Sequence, residues 1–254
     1  PPPGAVAVPK QYYADYTRRM LRLDVEGYRR LSGSLYAGLG AFVEDYAVVA
    51  WAGEEGYIPG GEYAPGAAGG LVVGPTAFVE YDSRDRRNAT TEGLFARASF
   101  SAFDEGAASD YSFRKYEADV RFYWPVARWG RKWTFANRLY LSGRDGAPPF
   151  WAMAALGGSA ILRGEPEGRA RGRWLVAYQE EVRVPLWWRF VAALFVDVGD
   201  VGFTMSDFSF KRVKLSGGGG LRLDLVEDGE ARVRLDYGRG KDATGLYVVF
   251  DEAF

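Results

Sequence analysis

Residues 114–124 read RKYEADVRFYW. Tyr116, Ala118, Val120, Phe122 and Trp124 share one parity; Lys115, Glu117, Asp119, Arg121 and Tyr123 share the other. Successive side chains of a strand point to opposite faces, so this stretch is a β-strand with one apolar and one charged face. The same alternation returns in MLRLDVEG (20–27), LRLDL (221–225) and EARVRLDYG (230–238). In the last, Ala231, Val233, Leu235 and Tyr237 oppose Arg232, Arg234 and Asp236.

Working outward, eleven stretches carry the pattern: 17–27, 31–50, 69–82, 93–103, 112–125, 132–142, 173–185, 189–200, 214–225, 231–238 and 245–254. Helical periodicity is nearly absent, so the chain is all-β. Two architectures suit such strands. A soluble sandwich or barrel turns the apolar face inward. A membrane barrel turns it outward to lipid and keeps polar groups in its lumen.

The charged faces mix both signs closely, as in Lys115, Glu117, Asp119 and Arg121, and a lumen lets opposite charges pair across it. Connections alternate in length. Segments 51–68, 104–111, 143–172, 201–213 and 239–244 lie at one end; turns 83–92, 126–131, 186–188 and 226–230 lie at the other and are shorter on the whole. Outer-membrane barrels have long outer loops and short periplasmic turns. Trp124, Trp133, Trp187, Trp188 and Phe254 gather near the short-turn end, as an interfacial aromatic girdle does. The expectation is therefore a transmembrane antiparallel up-and-down barrel over 17–254 after a lead-in at 1–16. Such barrels favour even strand numbers. Twelve strands are expected if 31–50 hides a turn near Glu44-Asp45, with ten as the alternative.

Composition removes several functions. The chain of 254 residues has no Cys and no His. That excludes disulfides, thiolate metal sites and any Ser-His-Asp triad. Acids (33) and bases (32) nearly cancel, which gives no basic surface for nucleic acid. The glycine run 217–220 lacks the Lys-Ser/Thr of a phosphate loop and lies in a strand, where glycine relieves crowding or bends the wall. In DSRDRRN (82–88) the interleaved arginines compete with any cation for the carboxylates, as in a charged turn. Neither an enzymatic activity nor a cofactor or metal is expected.

The 143–172 loop is long for a connection without its own strands, and PPFWAMAALGGSAIL (148–162) is too apolar for a solvated tail. It either folds back into the lumen or lies as an apolar surface loop. Folded inward, Arg163 would need carboxylate partners. Strand parity nominates Glu181, which shares a face with Arg183, and Asp197, opposite the lipid face of Leu194 and Val196.

LGGSAILRGEPEGRARG (156–172), EEVRVPLWW, ALFVDVGDV, GGGGLRLD, VRLDYG and a terminal EAF follow in an order that resembles the barrel of the BamA/TamA superfamily, the bacterial surface antigens. FVEYDSRDRRNATTEGLFARASF (78–100) resembles the family's Asp-x-Arg-Asp turn and the strand after it. The resemblance implies that Arg163 and Gly164 form the loop motif that reaches acids on the next two strands, Glu181 and Asp197, with Phe195 and Gly199 in the second barrel motif. It implies a C-terminal recognition strand carrying Phe250 and Phe254 on a lipid face shared with Leu246 and Val248. An aromatic usually follows the glycine; here it is Glu165.

The implied function is insertion of outer-membrane proteins, or passage of polypeptide across the outer membrane of a Gram-negative bacterium. Implied partners are membrane lipid, unfolded outer-membrane protein clients and periplasmic accessory domains. POTRA repeats are not visible, because the lead-in is too short to hold one. The alternative is an anchor or passive pore for an N-terminal effector domain. A folded transmembrane barrel should migrate differently on gels before and after boiling and require detergent; a soluble β-domain would do neither.

Overall fold

The computed structural model describes residues 15–52, 65–226, 231–250 and 252–254. Most of the lead-in expected over 1–16 thus lies outside the described residues. Eleven strands form one antiparallel sheet: β1 (Asp15–Ser32), β2 (Leu35–Ala52), β3 (Gly69–Asp82), β4 (Gly93–Phe103), β5 (Phe113–Arg128), β6 (Arg131–Gly146), β9 (Trp174–Pro185), β10 (Phe190–Gly202), β11 (Lys214–Asp224), β12 (Arg232–Arg239) and β13 (Thr244–Phe250). Between β6 and β9, a two-stranded ribbon of β7 (Ala154–Leu156) and β8 (Ala170–Gly172) sits within the long loop.

Each of the eleven alternating stretches is one strand of the sheet, and the twelfth strand expected from parity is not among the described residues. The reason is local. The segment from 31 to 50 is not divided at Glu44-Asp45, which pair within β2 with Val72 and Leu71 of β3. The chain reverses instead at Gly33-Ser34, where Gly33 takes a φ of +50°, the left-handed conformation that tight hairpins need. β1 and β2 then pair along nearly their whole length.

The sheet turns its apolar face outward. Leu194 is 69% exposed, and Leu246, Val248 and Phe250 are equally open. Inward-facing residues of β10, β11 and β12 are buried, among them Phe195, Asp197, Arg222, Arg234 and Asp236. An apolar exterior around a charged interior reverses the arrangement of a water-soluble barrel.

The interior is layered. At the long-loop end, Phe150 and Trp151 from the loop pack with Phe42, Tyr46, Val72, Phe103 and Phe113. Trp151 stacks on Tyr46 with ring centroids 4.8 Å apart. Loop residues Leu156 and Leu162 cover Leu175 and Ala177 of β9. Charged groups occupy the middle, and Tyr123, Ala136, Ala253 and Phe254 form an apolar patch toward the short-turn end. The Asp82–Asp85 turn pairs with itself: Arg84 returns to Asp82 at 2.8 Å. Partial burial pushes the Asp85 carboxyl up, but hydrogen bonds from Thr91 and the Glu92 N–H outweigh it and hold the group below the usual carboxylate range.

The absence of native cysteine permits a clean test of which face meets lipid. A spin label at Leu194→Cys in bilayers should be relaxed far more by oxygen than by a water-soluble nickel chelate. Relaxation dominated by the chelate would mean that this face is wet.

Candidate functional site: an arginine held inside the barrel

The 143–172 loop enters the barrel, and Arg163 is completely buried there. Its backbone N–H and its Nε both donate to Asp197 Oδ2 at 2.9 Å, and its Nη2 donates to Asp197 Oδ1 at 3.0 Å. Nη1 donates to Glu181 Oε2 at 2.5 Å and to Asp236 Oδ2 at 3.3 Å. The flat guanidinium lies 3.5 Å from the ring centroid of Phe195. Paired N–H groups facing one carboxylate make a bidentate contact that lysine could not reproduce.

Local structure delivers these groups. Phe195 and Asp197 are two apart on β10 and both point inward, while Glu181 stands opposite Phe195 on β9. Asp236, on β12, is the acid that sequence reasoning did not assign to Arg163. Parity had placed it on the charged face, but only the curvature of the wall brings β12 over β9. Four arginines meet four carboxylates there: Arg163, Arg183, Arg222 and Arg234 against Glu181, Asp197, Asp236 and Glu252. Arg222 bridges Glu181 at 3.0 Å and is bonded to Asp236 as well.

Glycines make the space. A Cβ on Gly218 would lie 2.6 Å from the Phe195 ring, and one on Gly220 would fall 2.0 Å from Asp236 Oδ1. The 217–220 run therefore makes room for the side chains that meet Arg163. Gly199 leaves room for Leu156 of the loop in the same way. Gly164 has a φ of +97° and sits against Gly238 and Arg239, where a Cβ would meet backbone at 2.7 Å. Its N–H donates to the Tyr247 hydroxyl of β13 at 3.0 Å. Leu162, just before the arginine, holds a left-handed φ of +60° without being glycine. Such a conformation persists only where the surroundings fix it. Further bonds come from Arg234 to the Ser159 carbonyl at 2.8 Å and from Arg138 to the Ala160 carbonyl at 3.3 Å. The loop segment is thus tied to β6, β10, β12 and β13 at once.

Glu165, where an aromatic was expected, is buried with its side chain against Gly240, and Lys214 Nζ lies 3.8 Å away. The chain's C-terminus departs from expectation. Phe250 faces outward as predicted, but Phe254 is only 5% exposed and lies inside on Tyr123 and Ala136, not on the lipid face. The strand stops at Phe250, and Glu252 is drawn inward by Arg183, Arg222 and Arg232. Arg183 donates to the Phe254 carbonyl at 3.2 Å. A carboxylate at position 252 on the outer face would meet hydrocarbon, so turning inward removes that cost. Trp187 and Trp188 are strongly exposed at the short-turn end and Trp124 is partly so, while Trp133 is half-buried against Trp129. Trp129, in the β5–β6 turn, is exposed at the same end.

A β-sheet with an apolar exterior, an ionic interior and a long loop bound within it is the barrel of an outer-membrane protein. The Omp85 superfamily domain matches residues 76–245, and the chain belongs to that superfamily. BamA from Haemophilus ducreyi, in a structure lacking POTRA domains 1–3, superimposes with a TM-score of 0.67 at 16% identity, over 93% of this chain and 54% of that one. CdiB from Acinetobacter baumannii gives 0.61 at 15% identity, over 96% and 43%. This chain spans about half the length of each. No curated protein sequence matches it. The protein is an outer-membrane protein.

Arg163→Ala should destabilise the folded barrel by about 3–5 kcal/mol, since it strands buried carboxylates. It should also open residues 157–172 to protease, and Arg163→Lys should restore only part of the protection. Unchanged proteolysis would show that the loop is held without the arginine.

Proposed function

We propose that this barrel acts in inserting proteins into the outer membrane or passing polypeptide across it. The work is physical rather than catalytic: it lies in where strand edges and lumen walls are offered, with no bond made or broken. Membership of the Omp85 superfamily and the likeness of its fold to BamA and CdiB support the reading. The observation that carries it is the unequal bracing of the wall. β9 to β13 are cross-linked by the Arg163 loop and its carboxylates, whereas β1 is exposed on both faces and pairs with β2 at one edge. Among the described residues β1 has no strand at its other edge, and a braced wall beside such an edge suits transient addition of an incoming strand through main-chain hydrogen bonds. Arg163 would brace the wall during that exchange, with Gly164, Glu181 and Asp197 as the rest of the anchor. The partners on this reading are membrane lipid, unfolded outer-membrane protein clients and periplasmic accessory domains.

Vesicles carrying the protein should fold a urea-diluted outer-membrane barrel protein several-fold faster than vesicles carrying an unrelated barrel of similar size. Arg163→Ala should lose most of that gain. Equal rates would defeat the assembly reading, and steady leakage of small solutes without client would favour a passive pore instead.

A further inference from the structure

At the long-loop rim, a groove of about 810 Å³ opens across the top of the wall between the β10–β11 loop and the β12–β13 turn. Five cations line it, Lys211, Arg212, Lys214, Arg239 and Lys241, against two acids, Glu165 and Asp242. Lys214 is committed to the buried Glu165 at 3.8 Å. Among the described residues, no ion pair within 4.0 Å joins Lys211, Arg212, Arg239 or Lys241 to a carboxylate, and Arg212 acts on the Asp207 carboxylate only at longer range. This contrasts with the interior, where each arginine of the central cluster has at least one acid partner.

The outer side of the groove is apolar. Val196, Val213 and Leu215 line it, and Leu215 is 60% exposed on the outer wall. That wall continues downward through Leu194 and Tyr237, both open to the surroundings. Strand parity turns Arg239 to the outer face as well, two residues above Tyr237. Among the described residues, a cluster of cations without a close ion pair therefore caps a lipid-facing strip at the end of the barrel that carries the long loops, which is the outer side in barrels of this type.

We propose that this groove binds a phosphorylated glycolipid of the outer leaflet, with sugar phosphates on Lys211, Arg212, Arg239 and Lys241 and acyl chains along Val196, Leu215 and Leu194. Lysine and arginine clusters at a membrane surface draw anionic headgroups, and guanidinium groups take phosphate oxygens in pairs. A zwitterionic phospholipid offers one phosphate beside its own ammonium, and so matches the cluster poorly. Binding here would fix the barrel's rotation and depth in the outer leaflet.

The test is native mass spectrometry of the full chain in detergent with diphosphoryl lipid A. Wild-type protein should retain the lipid, and Lys211→Ala/Arg212→Ala/Arg239→Ala/Lys241→Ala should weaken retention by roughly tenfold or more. Arg128→Ala/Lys132→Ala, at the opposite end, should leave it unchanged, and heat-modified migration confirms that each variant is folded. Equal retention by the quadruple variant overturns the proposal. So does equal retention of phosphatidylethanolamine, or full displacement of lipid A by millimolar inorganic phosphate, which would mark a site for phosphate alone.

Discussion

A guanidinium with no access to water must be met by carboxylates, and Arg163 is met by Asp197, Glu181 and Asp236. Much of the interior follows from that requirement. The three acids come from β10, β9 and β12, so their convergence fixes how far the wall curves and in what register. A one-residue slip of β10 would send Asp197 to the lipid side and bring Val196 or Val198 inward. Burying such a cluster adds little net stability, because desolvation offsets much of the attraction. Its consequence is specificity, since an alternative pairing would strand charge in a dry interior.

The loop's course depends on the same contact. Gly164 brings the backbone onto Gly238, Leu162 accepts a left-handed conformation, and the glycines of β11 clear space for Phe195 and Asp236. Aromatic packing of Phe150 and Trp151 closes the interior toward the long-loop end. Toward the short-turn end, Phe254 and Tyr123 fill the space, and Glu252 joins the ionic cluster from below. The C-terminal residues thereby become part of the interior, and β13 is short because its last residues have an ionic reason to leave the wall.

Much of this was legible in the sequence. Period-two alternation located every strand of the sheet and sorted its faces, and the same parity turned Glu181, Asp197 and Asp236 inward. What parity could not do was pair them. It carries no information on curvature, so the meeting of β12 with Arg163 was invisible, and Phe254 was assigned to lipid by extending an alternation that ends at Phe250. The turn lies at Gly33-Ser34 rather than Glu44-Asp45, because glycine readily takes the positive φ that the hairpin needs and adjacent acids fit within a strand whose one face is polar.

Local chemistry along the chain determined the all-β class, the outward apolar face, the alternation of long and short connections and the need of Arg163 for acids. These are properties of neighbours in sequence, set by side-chain period and by the cost of unpaired charge. Only the tertiary structure decided which acids answer which arginines, that the C-terminus turns inward, and that the rim cations gather in one groove without a close ion pair among the described residues, Lys214 excepted. Those outcomes depend on distances between strands far apart in the chain, and sheet curvature sets them.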